Sequence, residues 1–257
     1  MDGEGPALSQ HGLVPDPSVT DLSKSPARIA RMFDGIAPRY DFLNHLLSAG
    51  IDRRWRRRAI RSLALTGRER VLDLCTGTGD LAIAARVSAP PASRVIGVDF
   101  ARAMLGVGRA KLARRGLAAS ISLVCGDATS VPVANGSVNR VTMAFGIRNV
   151  ENTAAACAEI HRVLTPGGRF AILEFGVPTM PLVRGAYLWY FNNVLPRIGR
   201  LVSGDDGAYR YLPASVGAFA SPEELVKLLR HAGLDDVTAS PLSFGIVYLY
   251  TGCKAES

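Results

Sequence analysis

Apolar residues change their spacing twice along this chain, and the changes mark out three stretches. Early on they recur at helical intervals: Ile29, Met32, Phe33 and Ile36, then, past Pro38, Leu43, Leu46, Leu47 and Ile51. Such positions share one helix face, so the spacing predicts two short amphipathic helices. From Arg70 the pattern becomes short continuous apolar runs separated by helical stretches. The runs 71–75, 94–99, 120–124, 138–144 and 169–175 predict buried strands, with helices expected over 80–87, 101–115 and 152–164. Between Gly176 and Ser221 the alternation stops. Here Tyr187, Leu188, Phe191, Leu195 and Ile198 form an aromatic and apolar stripe, followed by the turn-rich Ser203–Gly207. Alternation returns with a helix over 221–231, opened by Ser221 with Glu224 three residues on, and two closing strands over 237–242 and 246–253.

Strands that alternate with helices return parallel through right-handed crossovers. The expectation is therefore an α/β chain with a doubly wound, Rossmann-like sheet of seven strands, mostly parallel with an antiparallel closing strand, and helices on both faces. Residues 1–25, polar and without periodicity, read as a flexible tail before a single domain over 26–257. Within that domain, 26–66 reads as a helical cap and 177–215 as an insertion that covers a substrate.

Composition narrows the picture modestly. A 48% hydrophobic fraction is enough for a large core. The net charge of +8 suits an anionic partner, either nucleic acid or a membrane surface. No apolar run approaches the length of a membrane span, and the N-terminus lacks the apolar core of a secretory signal. A cytoplasmic protein, at most peripheral on the inner face of the cell membrane, is expected. Cys75, Cys125, Cys157 and Cys253 form no CxxC pair, so no metal site is expected.

The most informative segment runs from Val71 through Cys75-Thr76-Gly77-Thr78-Gly79 to Asp80. A buried strand enters a glycine turn and then a helix. Gly77 and Gly79 allow a tight bend and close approach of a ligand to the backbone. Asp80, at the helix start, would repel a pyrophosphate but suits a cationic ligand; S-adenosylmethionine carries an ammonium and a sulfonium. Asp99 ends the second strand, where an acid accepts hydrogen bonds from a ribose diol. Asp127 follows the third strand and suits the exocyclic amine of adenine. Capping and turn roles are the structural alternatives for these three acids.

Asp73 to Asp80 resembles the first motif of class I methyltransferases. Met32 to Asp41, Phe145 to Val150, Arg162 to Arg169 with Leu173 to Phe175, and Leu195 to Gly199 with Tyr209 to Leu212 resemble, more narrowly, the ubiquinone/menaquinone biosynthesis C-methyltransferase family. The resemblance implies S-adenosylmethionine as cofactor, with Thr78, Asp99, Asp127 and Ala128 lining its site. It implies methylation of a ring carbon of a polyprenyl quinol, with demethylmenaquinol favoured over the benzoquinol of the ubiquinone pathway. Ala144 stands where the family often has Ser and cannot donate that hydrogen bond.

Methylating a ring carbon needs an electron-rich phenolate, which a nearby cation favours. Arg148, after the fourth strand, is the candidate catalytic residue; the structural alternative is an ion pair with Glu151 or another acid. Tyr40 and His45 are weaker base candidates. Arg53–Arg58 around Trp55 could rest on anionic headgroups or be a solvated helix face. The 187–198 stripe could line a prenyl groove, form core, or make a homodimer face. An RNA methyltransferase and a non-catalytic quinone-binding scaffold are the rival readings. The chain shows no added RNA-binding module, and no nucleic-acid partner is expected.

Overall fold

The computed structural model of the chain describes residues 23–88, 90–92, 94–194, 197 and 207–256. Most of the expected tail, the side chains of Leu43, Leu47 and Phe191, Leu195, Ile198, and the turn at Ser203–Asp206 lie outside the described residues.

Three helices open the chain: α1 (Pro26–Ile36), α2 (Tyr40–Leu47) and α3 (Asp52–Ser62). Pro38 falls in a 3-10 turn over Ala37–Arg39, because a ring without an N–H cannot continue the α-helical ladder. The expected strands follow as β1 (Arg70–Leu74), β2 (Arg94–Asp99), β3 (Ile121–Cys125), β4 (Val138–Ala144), β5 (Leu164–Phe175), β6 (Leu234–Leu242) and β7 (Val247–Lys254). Between them lie α4 (Asp80–Arg86), α5 (Arg102–Arg114), α6 (Thr153–Val163), α7 (Pro181–Trp189), α8 (Gly207–Gly217) and α9 (Pro222–His231). Ser221 and Glu224 make the capping box read from the sequence.

The seven strands form one sheet in the order β3-β2-β1-β4-β5-β7-β6. Only β7 runs antiparallel to both its neighbours, as expected of the closing strand. Burial on both faces explains why the parallel strands read as unbroken apolar runs. Leu72 and Leu74 join a core with Ile160 of α6 and Leu225 of α9. Val71, one residue before Leu72, points to the other core, with Ala59 of α3 and Leu81 of α4.

The strands β5 and β6 begin earlier than read from the sequence, β6 at Leu234, and one helix was not read at all. β5 begins at Leu164, pairing with Val138 before the turn at Gly167 rather than after it. Helix α8 is new: the pattern before Ser221 offered no apolar period strong enough to mark it, and it includes Pro213. Among the described residues, no helix is long and apolar enough to cross a membrane.

Strand order reverses between β1 and β4: β1 leads outward through β2 to β3, and β4 returns to β1's other side. Loops at the carboxyl ends of these two strands diverge to opposite faces and leave a crevice, the usual ligand position in such sheets.

Candidate active site

At the crevice, β1 passes into Cys75 (φ +51°), Gly77 (φ +55°) and Gly79 (φ +83°), then α4. Left-handed backbone is nearly free for glycine and costly for a side chain, so the two glycines set the bend. The turn is tied down by Asp99, whose Oδ2 accepts from the Gly77 N–H and Oδ1 from the Ala101 N–H, both at 2.8 Å. Burial raises the Asp99 pKa and these amides partly offset it. The Phe100 N–H also bonds this carboxylate, which has about four acceptor sites and so retains room for a ligand hydroxyl. Asp73, wholly buried, accepts from the Thr76 hydroxyl at 2.5 Å and the Thr142 hydroxyl at 2.7 Å. Burial pushes its pKa up to about 6 against those bonds.

Asp80 requires a correction. It is not an open counter-charge: Lys111 Nζ of α5 lies 2.7 Å from Oδ1 and Arg56 Nη1 of α3 lies 3.5 Å from Oδ2. Burial opposes its charge, but Arg56 and Lys111 outweigh that and hold its pKa low. The Thr78 hydroxyl is likewise engaged, donating to Asp41 of α2 and accepting from Lys111 at 3.0 Å. Lys111 also pairs with Asp41, and Arg56 with Asp52. Three acids (Asp41, Asp52, Asp80) and three basic side chains (His45, Arg56, Lys111) meet in this cluster. Asp80 is therefore one member of a charge network beside the glycine turn, and it still lines the cavity there.

Asp127 Oδ1 accepts from the Thr129 N–H and hydroxyl at 2.7 and 2.8 Å, a turn contact rather than the helix cap expected as its structural alternative. The Ala128 side chain is packed in the sheet core, which leaves only its backbone for a ligand. Asp127 nonetheless stands near the others: Cys75 is pushed well up by burial, then by Asp99, Asp73, Glu174 and Asp127.

At the tip of β4, Phe145 takes φ +59°, unusual for a bulky residue. Arg148 follows, and the ion pair named as its structural alternative is present. Its Nη1 lies 2.7 Å from Glu174 Oε1, its own N–H donates to Glu174 Oε2 at 3.1 Å, and Nη1 also donates to the Phe145 carbonyl at 2.6 Å. The partner is the fully buried Glu174 of β5, not Glu151, because adjacent strand tips bring 148 and 174 together. From α8, Ser215 Oγ accepts from Arg148 Nε at 3.4 Å and Tyr211 donates to Asn149 Oδ1 at 3.2 Å.

Cavities fill the space between these groups. One of about 400 Å³ lies beside Gly77 and Asp99, walled by Phe100, Met104 and Asn149. A second of about 350 Å³ continues past Thr78 and Asp80 to Arg56. A third of about 700 Å³ lies under the helical cap, lined by Met32, Ile36, Trp55, Arg148, Phe175 and Leu212 among others. Tyr40 and Phe145 line all three. Phe145 and Phe175 stack at 4.5 Å, with Trp55 edge-on to both. The structure thus brings Gly77, Thr78, Asp80, Asp99 and Arg148 around cavities that share Tyr40 and Phe145; Gly79 shapes the turn, and Asp127 and Ala128 line none of the three. Among the described residues no cluster could hold a metal ion.

Sequence reasoning missed Asp73, Lys111, Glu174 and Arg56. A polar residue inside an apolar run was the available signal for Asp73 and Glu174. Nothing local marked Lys111.

The model of the ubiE/COQ5 methyltransferase family matches residues 21–254. A relative in Geobacter sulfurreducens, named ubiquinone/menaquinone biosynthesis C-methyltransferase UbiE, is 45% identical over 91% of this chain and 91% of its own. A demethylmenaquinone methyltransferase of Thermus thermophilus is 46% identical over 86% and 99%. Among solved structures, the [4+2]-cyclase SpnF superposes with TM-score 0.67 at 16% identity over 92% and 98%. A Haemonchus contortus phosphoethanolamine N-methyltransferase, solved with S-adenosylhomocysteine, gives 0.55 at 15% over 76% and 52%. These structural likenesses speak to fold alone, and a cyclase among them illustrates that fold does not fix chemistry.

Proposed function

Because this chain belongs to the ubiE/COQ5 methyltransferase family, we propose that it transfers a methyl group from S-adenosylmethionine to a ring carbon of demethylmenaquinol. The observation that carries this reading is the shared wall: Tyr40 and Phe145 border both the acid-lined cavities at Gly77 and the apolar cavity under the cap. A donor on one side and an aromatic ring on the other would meet there.

The residues suit the cofactor. The Asp99 oxygens suit its ribose, Phe100 and Met104 give apolar walls to a purine, and the acids lining the cavities at the glycine turn, Asp73, Asp80 and Asp99, suit its cationic centres. Bound there, it supplies an electrophilic methyl on a sulfonium. The chain's own part is positioning and polarisation. Arg148, neutralised by Glu174, offers oriented N–H donors rather than net charge to a ring oxygen as it ionises. Tyr211 fixes the Asn149 amide, and Ser215 steadies Arg148. The cap excludes water from the ring. Leu182 is 87% exposed and Trp189 63% exposed on one face of α7, which supports peripheral contact with the membrane that would hold such a lipid.

The test is methyl transfer from labelled S-adenosylmethionine to demethylmenaquinol and, in parallel, to the benzoquinol precursor of ubiquinone. Turnover of demethylmenaquinol with little on the benzoquinol is expected. No labelling of either quinol by an enzyme that binds the cofactor would end the proposal.

A further inference from the structure

One charge of the cofactor remains unmatched in the site as described. S-adenosylmethionine carries a carboxylate as well as two cationic centres, and Asp73, Asp80 and Asp99 around the glycine turn would repel it. In the cavity that runs past Thr76, Thr78 and Leu81, one cationic side chain lines the wall among the described residues: Arg56. The adjoining cavity at Asp99 has none.

Arg56 is set for such a role. It is 8% exposed, on α3, one turn from Asp52, with which it pairs. Asp52 is itself fixed by His45 Nδ1 at 2.8 Å and the Ser48 hydroxyl at 2.9 Å. Asp52 and Asp80 both meet Arg56 through Nη1. A guanidinium is a planar fork of five donors, and one held on one side by acids presents the other in a defined plane. A carboxylate is the group that fork matches in two parallel hydrogen bonds.

We propose that Arg56 anchors the carboxylate of the cofactor's methionine portion, so that α3 of the helical cap, as well as the strand tips, recognises the methyl donor. This rests on the cofactor reading above. Calorimetry of the full chain with S-adenosylhomocysteine and with its decarboxylated analogue separates the two ideas. The unaltered protein should prefer the intact compound by roughly ten- to a hundredfold, the range for one charge-assisted pair. In Arg56→Ala the preference should vanish or reverse, since the acids then face an unpaired carboxylate, and Arg56→Lys should keep part of it. A preference that survives Arg56→Ala, both affinities falling together, overturns the proposal, as does equal binding of the two compounds by the unaltered protein. Binding of neither compound overturns the cofactor reading itself.

Discussion

Arg148 and Glu174 show how a single residue's meaning depends on its partner. In isolation Arg148 is a cation beside a crevice; in place it is half of a buried ion pair. Removing one member of such a pair strands the other, typically at about 3–5 kcal/mol. Glu174→Gln should therefore lower unfolding free energy in urea by that order, and a loss under about 1 kcal/mol would mean the pair is not structural. Arg148→Ala should cut methyl transfer at least about tenfold, the scale of one lost hydrogen-bonding group, while affinity for S-adenosylhomocysteine stays unchanged; full activity would remove Arg148 from the reaction. The sequence could name the acids at the strand tips because strand ends are local. It could not say which were already neutralised: Asp80 meets Lys111 from a different helix, and nothing near residue 80 signals it.

At the scale of elements, the turn into β1 has a pH-dependent hold. Glu69 accepts from the Thr66 N–H and hydroxyl and from the Gly67 and Arg68 N–H groups. Burial works against its charge, yet these bonds prevail and bring its pKa down to about 2 from 4.5. A depressed acid stabilises the fold above its unfolded pKa and loses that contribution as pH falls through the folded one. Glu69→Gln should therefore melt below the unaltered protein at neutral pH, with the gap closing between about pH 4.5 and pH 2; a constant gap would show that ionisation contributes nothing. Periodicity located β1 to β4 within a residue or so because burial on both faces imposes continuous apolar runs. It missed α8, where Pro213 argues against a helix and burial at four consecutive positions (213–216) leaves no single apolar stripe.

Across the whole molecule, the cap is clamped to the sheet by charge. Asp41 of α2 meets Thr78 and Lys111, and Asp34 of α1 accepts from the Ala103 N–H of α5 at 2.8 Å. The N-terminal helices also wall both the cavity at Asp99 and the larger one beneath them through Phe33 and Tyr40. Adding S-adenosylhomocysteine should slow amide hydrogen exchange in α1 and α2 while leaving α6 and α9, on the opposite face, unchanged. Equal protection of all four helices, or none in α2, would argue that the cap is indifferent to the ligand.

The sequence by itself determined the sheet, the glycine bend and the acids around it, because strand burial and positive φ act over a few residues and leave their mark in composition. Tertiary structure alone decided which charges are spent on each other and which residues the three cavities share. Those outcomes depend on side chains from α2, α3, α5 and β5 meeting across the crevice, and pairing at that separation follows from the folded path of the chain, not from any local pattern.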